Sequence, residues 1–155
     1  MVKVAVLDYG IGNLRSAQKA FEISGAEARL TADKDLVLAS DGVVLPGVGN
    51  FGKCAKALTD SGVRELAHLA VENDIPFLGI CVGMQLLYET SDESPAAQGL
   101  GLFPGKVKML ENAPRVPQMQ WNQIQLKDDS PLLRGLKDEW FYFCLLYTSD
   151  AADEL

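Results

Sequence analysis

The sequence predicts an α/β fold built on a mostly parallel central sheet with helices on both faces. Short apolar runs rich in β-branched residues alternate with segments of helical apolar spacing along the first half of the chain. Glycine-rich turns follow several of these runs, where the carboxyl edge of a parallel sheet is expected. With 155 residues, the chain is long enough for one domain with a core of its own.

The first five predicted elements are strands and helices in alternation. They are a strand over 2–7, a helix over 14–23 ended by Gly25, a strand over 26–30, a helix over 33–39 with Asp33 as N-cap, and a buried strand over 42–45. The turn 8–13 contains two glycines but lacks the third glycine of the dinucleotide-binding fingerprint. We therefore predict a tight turn there, with a nucleotide site as the less favoured alternative.

The middle of the chain predicts a helix over 60–72 and then a short buried strand over 76–80. The apolar stripe of this helix consists of Val63, Leu66, Ala67, Ala70 and Val71. His68 is the only histidine in the chain, and it falls on the opposite stripe. We predict that it is a surface residue, which leaves the sequence without an evident general base.

The last third of the chain predicts a polar loop over 89–95 and strands over 107–110, 124–126 and 140–143. No segment of helix length separates the first two of these strands, so an antiparallel arrangement is expected. Between them, the prolyl segment 117–122 contains Met119 and Trp121. This segment is predicted to be a loop that serves either as a packing lid or as a partner surface.

Cys81 lies where the apolar spacing changes from that of a strand to that of a helix. Gly79 and Gly83 flank it as glycines flank the serine of a nucleophile elbow. The glycines allow strand and helix to approach closely, while the middle residue takes a strained conformation and points outward. The positive end of the following helix favours a thiolate, the nucleophile of acyl transfer. The alternative is that Cys81 is a small core hydrophobe.

The glycine-rich loop 46–52 follows the third strand at the edge where sites of parallel sheets lie. Gly47 and Gly49 can turn peptide N–H groups toward a ligand because they carry no Cβ. Together with the N–H of Val82, directly after the cysteine, such a loop can form an oxyanion hole. A plain turn is the alternative interpretation.

Composition narrows the classes of ligand and location. The net charge of -7, without a cluster of basic residues, argues against nucleic acid and anionic membranes and favours a small ligand. No apolar run has the length of a membrane span, and we predict no signal peptide. Three widely spaced cysteines and one histidine favour neither a disulfide framework nor a metal site. We expect no cofactor, and a cytoplasmic location.

Five stretches together resemble a known family: Asp8–Leu14, Leu45–Gly52, Gly79–Leu87, Gly99–Leu102 and Phe141–Phe143. They are similar, in order and over residues 1–143, to the class I glutamine amidotransferases. The elbow at Cys81 by itself indicates only the superfamily. The first two stretches narrow the resemblance to the glutaminase subunits of imidazole glycerol phosphate synthases.

The resemblance implies the three-layer class I amidotransferase fold and a glutaminase reaction. Cys81 would attack the side-chain amide of glutamine, release ammonia and form a glutamyl thioester that water hydrolyses. The implied oxyanion-hole residues are Val48, Gly49 and Val82, and the implied substrate-binding residues are Gly47, Gln85 and Glu93. Ammonia would pass to a (β/α)8-barrel cyclase subunit of histidine biosynthesis. The implied interface residues for this partner are Asn13, Met119, Trp121 and Tyr142.

The chain departs from the family pattern in two places. Gln118 and Gln120 stand where the family usually has His and Gly, which is expected to affect docking of the cyclase. After Phe143, residues 144–155 replace motifs that carry the general base and its orienting carboxylate in the family, and they resemble translated sequencing-adapter sequence. We therefore predict an incomplete amidotransferase domain over 1–143, with its C-terminal part missing, and an artefactual tail over 144–155.

Replacement of the motifs for the general base and its carboxylate has a functional consequence, because general acid or base help is worth about 10²- to 10⁴-fold in rate. We expect little or no glutaminase activity from the 155-residue chain, and an exposed sheet edge. Two alternatives remain open. The chain is a non-catalytic binding or regulatory partner of the cyclase, or it is a different cysteine hydrolase whose base comes from another chain.

Overall fold

A computed structural model describes residues 1–111, 115–124, 131–136 and 139–149. Its strands are β1 (Lys3–Leu7), β2 (Glu27–Thr31), β3 (Gly42–Gly47), β4 (Phe77–Cys81), β5 (Tyr88–Ser91), β6 (Phe103–Met109), β7 (Gln118–Gln123), β8 (Trp140–Leu145) and β9 (Tyr147–Ser149). Its α-helices are α1 (Leu14–Ile23), α2 (Lys34–Leu38), α3 (Phe51–Asp60), α4 (Val63–Glu72) and α5 (Val82–Gln85), and a short 3₁₀ helix covers Pro131–Leu133.

The central sheet is parallel and has the strand order β2-β1-β3-β4. Its order reverses between β1 and β3, because the chain moves from β1 to β2 on one side and then returns to β3 on the other. In open α/β sheets, ligands bind beyond the carboxyl ends of the strands at such a reversal. The predicted α/β fold with a mostly parallel sheet is confirmed, and its topology directs attention to the residues after β1 and β3.

The two faces of the central sheet bury different residues, as the period of two in a strand requires. Val4, Val6 and Val44 form a small apolar cluster against Ala17 and Phe21 of α1. The larger core lies on the opposite face, beneath the helices from α2 to α5. Its fully buried members include Leu7, Val37, Leu45, Phe51, Leu58, Val63 and Leu86. Helices therefore cover both faces.

The start of the helix predicted over 60–72 is wrong, because the observed helix α4 begins at Val63. Asn50 caps α3 by accepting the N–H of Lys53 at 3.0 Å, and this helix ends at Asp60. Gly62, with φ of 73°, turns the chain before α4 starts at Val63. Helix α3 was not predicted, because its first residues overlap the glycine-rich loop. By contrast, Asp33 caps α2 as predicted and accepts the N–H of Leu36 at 2.9 Å.

Burial on α4 follows the predicted stripe in part. Val63, Ala67 and Ala70 are buried, but Val71 is 36% exposed because the helix ends one residue later. His68 is half-buried rather than fully on the surface. It belongs to a helix that packs against α2 and α3 on one face of the central sheet.

The strand β4 is at an edge of the central sheet among the described residues. The prediction that it is a buried strand is therefore wrong, since Phe77 and Leu78 are half-buried and Ile80 is 38% exposed. Only β3 pairs with it within the described ranges, which leaves its outer backbone groups without a strand partner there. An exposed edge of this kind is what the sequence led us to expect.

A second sheet has the order β5-β6-β9, in which β6 is parallel to β5 and antiparallel to β9. The prediction of a polar loop from residue 89 is wrong for its first three residues, which belong to β5. Their strand is stabilised by backbone pairing with β6 and by burial of Tyr88 and Ser91 at its ends. The predicted strand over 107–110 is the second half of β6, and its antiparallel partner is β9.

The strands β7 and β8 form a separate antiparallel pair. The prediction of a loop over 117–122 is wrong, because Gln118–Gln123 is a strand, and the strand predicted over 124–126 does not include Ile124. Met119 and Trp121 alternate in β7 with polar residues, which is the period of a strand, although Pro117 directly before them favours a loop. Ile124 follows the strand, and residues 125–126 lie outside the described residues.

The predicted strand over 140–143 is confirmed and extends to Leu145 in β8. Residues 144–149 of the predicted tail thus contribute to β8 and to β9, while 150–155 lie outside the described residues. The boundary after Phe143 stays a prediction. Within the described ranges, the structure contains no helix long and apolar enough to cross a membrane.

Candidate active site

Cys81 ends β4 and directly precedes α5, so it occupies the sharp turn between a strand and a helix. Its backbone angles are φ 57° and ψ -120°, a positive-φ conformation that is costly for a residue with a Cβ. Its side chain is exposed. The strained and outward-pointing cysteine predicted from the sequence is therefore present, and the core-hydrophobe alternative is wrong.

The glycines around Cys81 are required by close packing. A Cβ on Gly79 would collide with the backbone of Met84, and a Cβ on Gly83 would collide with the carbonyl oxygen of Leu45 in β3. The short helix α5 therefore rests directly on the strands β3 and β4. This contact holds the elbow in place from below, while the thiol faces solvent.

The glycine-rich loop lies beside this cysteine, because Gly47 pairs with Cys81 in the register of β3 and β4. A Cβ on Gly47 would approach Gly83 N to 2.6 Å, so the loop and the start of α5 are in direct contact. After Gly47, Val48 and Gly49 are exposed, and Gly49 has φ of +87°. The structure thus brings together the predicted oxyanion-hole residues Val48 and Gly49 and the nucleophile.

Gln85 and Glu93 make contacts of their own in this structure. The side-chain amide of Gln85 donates to the carbonyl oxygen of Tyr147 in β9 at 3.1 Å. The Glu93 carboxylate accepts the backbone N–H of Phe51, the first residue of α3, at 2.7 Å. The neighbouring Ser94 hydroxyl accepts the N–H of Gly52 at 3.2 Å. Glu93 and Ser94 therefore connect the loop after β5 to the end of the glycine-rich loop.

The predicted interface residues lie on two separate elements. Met119, Trp121 and Tyr142 share one face of the β7–β8 pair, where Trp121 and Tyr142 are direct cross-strand neighbours. Their rings meet edge to face at a centroid distance of 5.6 Å, and each side chain is more than half exposed. Asn13 is exposed at the beginning of α1. An aromatic face of this kind is typical of protein interfaces.

Two buried side chains beneath the glycine-rich loop were not singled out by the sequence. The Tyr9 hydroxyl donates to the carbonyl oxygen of Pro46 at 2.7 Å, and the Cys54 thiol donates to the carbonyl oxygen of Val48 at 3.3 Å. Burial, followed by the proximity of Cys54 and Cys81, raises the pKa of Tyr9 well above its usual value. Burial also raises the pKa of Cys54. No sequence signal marked either residue as part of the site.

The surroundings of the Cys81 thiol contain no paired base. Among the residues that the structure describes, no side chain forms a hydrogen bond with the Cys81 sulfur, and His68 lies on α4. The arrangement therefore provides an exposed cysteine on a nucleophile elbow, with a glycine loop whose N–H groups can face a substrate. These are the parts of an acyl-transfer site that stabilise an oxyanion and supply a nucleophile.

Comparison with known proteins shows which family this chain belongs to. The family model described as "Glutamine amidotransferase class-I" matches residues 5–144. A solved structure described as a glutamine amidotransferase superposes with a TM-score of 0.70 at 20% identity, covering 91% of this chain and 70% of that one, which supports the fold. The chain belongs to the class I glutamine amidotransferases.

Relatives at higher identity define the branch of the family. The HisH subunit of imidazole glycerol phosphate synthase from Methanothermobacter thermautotrophicus is 43% identical over 152 residues, which are 98% of this chain and 76% of the relative. The HisH subunit from Synechococcus elongatus is 47% identical over 149 residues, which are 94% of this chain and 68% of the relative. Within the amidotransferases, the chain groups with the HisH subunits.

Proposed function

We propose that this chain is the glutaminase subunit of an imidazole glycerol phosphate synthase and that Cys81 is its nucleophile. The observation that carries the proposal is the position of Cys81, exposed at φ 57° on a strand-to-helix elbow and paired in register with Gly47. The family model supports glutamine as the substrate, and the names of the HisH relatives support a subunit of imidazole glycerol phosphate synthase, an enzyme that we place in histidine biosynthesis.

The proposed reaction has two steps. The sulfur of Cys81 bonds to the side-chain carbonyl carbon of glutamine, the carbon–nitrogen bond breaks, and the nitrogen leaves as ammonia after taking up a proton. Water then adds to the thioester, which releases glutamate and regenerates the thiol. In both steps the carbonyl oxygen gains negative charge, and the N–H groups of Val82 and of the Val48–Gly49 segment are the proposed donors to it.

Gln85 and Glu93 are proposed to contact the substrate, together with the backbone of Gly47. Their present hydrogen bonds suggest how each would take part. The Gln85 amide is held by a single carbonyl contact to Tyr147, which glutamine can replace. Glu93 accepts one N–H through one carboxylate oxygen, which leaves acceptor capacity for an ammonium group.

The proposed partner is a barrel-shaped cyclase that receives the ammonia. Support for a partner comes from the exposed face of the β7–β8 pair, where Met119, Trp121 and Tyr142 are more than half exposed. Asn13 is the fourth proposed interface residue. Gln118 and Gln120, which depart from the family pattern, belong to the same strand β7, so we expect the affinity for the cyclase to differ from that of the relatives. A cytoplasmic location stays a prediction from the cysteine usage.

A labelling experiment tests the identity of the site without requiring turnover. The chloromethyl ketone analogue of glutamine should alkylate Cys81 with loss of chloride, and free glutamine should slow this alkylation. Peptide mass spectrometry distinguishes Cys81 from Cys54 and Cys144, the other free thiols. Equal labelling of Cys81 and Cys144, or no protection by glutamine, would overturn the proposed substrate.

Turnover by the 155-residue chain is proposed to be low, since no side chain in its described part forms a hydrogen bond with the Cys81 sulfur. General acid or base help is worth about 10²- to 10⁴-fold, and its absence affects both steps. Glutamate release should not exceed that of a Cys81→Ala control, with or without a cyclase. Release clearly above that control would show that a base is supplied.

A non-catalytic role as a binding or regulatory partner of the cyclase is the second candidate. Two observations favour it: within the described ranges no side chain forms a hydrogen bond with the Cys81 sulfur, and the aromatic face of β7 and β8 is exposed. Co-purification with the cyclase together with a failure of the glutamine analogue to select Cys81 would favour this candidate over the first.

A further inference from the structure

The glycine-rich loop has little conformational restraint of its own, although the proposed reaction depends on its peptide orientation. Gly47 and Gly49 flank Val48, and Gly49 takes a φ of +87° that few other residues adopt. Val48 and Gly49 are also exposed, so the core does not pack around their backbone. Something outside the loop must select one orientation of its peptide groups if it is to donate hydrogen bonds reliably.

Two buried side chains provide that selection, one at Pro46 and one at Val48. Tyr9, which follows β1 and is only 4% exposed, donates its hydroxyl to the carbonyl of Pro46 at 2.7 Å. Cys54, fully buried in α3, donates its thiol to the carbonyl of Val48 at 3.3 Å. These contacts join the loop to the end of β1, the strand beside β3 in the sheet, and to α3, which follows the loop directly.

The direction of these hydrogen bonds determines where the loop presents its donors. The C=O and N–H groups of one trans peptide point in opposite directions. Because the Val48 carbonyl points inward to the buried thiol, the Gly49 N–H of the same peptide points to the exposed side of the loop. The exposed Cys81 ends the strand paired with this loop.

Both side chains are suited to this task because they stay protonated. Burial raises the pKa of Tyr9 and that of Cys54, so each retains the hydrogen that it donates to a carbonyl. A phenolate or a thiolate would instead repel the carbonyl oxygen.

We propose that Tyr9 and Cys54 are positioning residues that fix the Val48–Gly49 peptide so that the Gly49 N–H faces the reacting carbonyl oxygen. The inference rests on the proposed glutaminase site, because it assigns a role to residues that support the oxyanion hole of that reaction. It adds two residues that do not touch the substrate and act through the backbone of the loop.

The test compares two reagents on Cys81 in the full chain. The chloromethyl ketone analogue of glutamine develops negative charge on its ketone oxygen when the thiol adds, whereas iodoacetamide reacts by direct displacement and needs no oxyanion hole. The ratio of the two rate constants at Cys81 therefore reports the loop geometry. A change in thiol reactivity alters both rates and leaves the ratio unchanged. General damage to the fold is recognised separately, by a changed far-UV circular dichroism spectrum and by loss of protection of Cys81 by glutamine.

The variants are Tyr9→Phe, Cys54→Ala and Cys54→Ser. Tyr9→Phe should lower the ratio about five-fold, because a buried carbonyl loses its donor. Cys54→Ala should lower it about two- to three-fold, since a thiol is a weaker donor. Cys54→Ser retains a donor and should recover most of that loss. The control is Cys144→Ser, which removes an exposed thiol on β8 and should leave the ratio unchanged.

The possible failures are distinguishable. If the ketone does not select Cys81 in the unmodified chain, or if glutamine does not protect it, the proposed function fails, and the positioning roles fail with it. If Cys81 is selected and protected but the ratio is the same in Tyr9→Phe, Cys54→Ala and the unmodified chain, only the positioning proposal is overturned.

Discussion

The close contact between α5 and β3 makes Gly83→Ala the most informative single substitution in the elbow. A Cβ at this position would overlap the carbonyl oxygen of Leu45, with the backbone of Pro46 also close. Leu45 is fully buried in β3, which is paired on both sides, with β1 and with β4. The clash therefore involves backbone that is held in place, and a side-chain rotation cannot relieve it.

The expected cost lies at the upper end of the range for overpacking, at about 3 kcal/mol. For a domain of this size, that loss corresponds to a decrease in Tm of about 6–12 °C. Unfolding followed by far-UV circular dichroism, with heat and with urea, measures the loss. Because α5 must move away from β3, we also expect the glutamine analogue to label Cys81 more slowly.

The matched control is Gly42→Ala in β3, the strand that the Cβ of the Gly83→Ala variant would overlap. A Cβ on Gly42 would meet only the carbonyl oxygen of Pro76 at 3.6 Å, an ordinary contact, and Gly42 does not have a positive φ. Substitution there should be neutral or stabilise by about 0.4–1 kcal/mol, through the lower entropy of the unfolded chain. Equal unfolding midpoints for Gly83→Ala and Gly42→Ala would refute the packing argument.

Three further predictions concern general-base catalysis at Cys81, the proposed partner surface and alkaline stability. Added imidazole should raise glutamate release by the chain in proportion to its concentration, but not in Cys81→Ala; a flat response would mean that proton transfer is not what limits turnover. Trp121→Ala should weaken cyclase binding about 30-fold in calorimetry, whereas Gln120→Ala on the opposite face of β7 should change it little; equal losses would argue against the aromatic face. Because burial raises the pKa of Tyr9 above its usual 10.0, its contribution to stability is complete below pH 10 and decreases as the pH rises further. Urea midpoints should thus fall less steeply above pH 10 in Tyr9→Phe than in the unmodified chain or the exposed Tyr142→Phe, and parallel curves would contradict this.

Local spacing was sufficient to predict much of the first half of the chain. The bounds of α1 and the capping of α2 by Asp33 follow from residues within one or two turns of each other. The elbow at Cys81 was predictable for the same reason, since Gly79, Cys81 and Gly83 form a short signature with a direct steric meaning. In these segments the interactions that select the structure are close together in sequence.

Prediction failed where the selecting interaction is long-range. The strand β5 was predicted as a loop because its polar residues are stabilised by backbone pairing with β6, which local composition does not reveal. The strand β7 was predicted as a loop, because Pro117 favoured a loop more strongly than the alternation of Met119 and Trp121 favoured a strand. Its position depends on pairing with β8, about twenty residues away along the chain.

The elbow cysteine, the glycine loop beside it and the family could be predicted without a structure, because each depends on residues in short contiguous motifs. The side chains that support these motifs became evident only from the folded chain. The hydroxyl of Tyr9 meets Pro46 across 37 positions, and the carboxylate of Glu93 meets Phe51 across 42. Such contacts exist because β1, β3 and the segment after β5 converge in the fold, and no spacing within a single segment encodes that convergence.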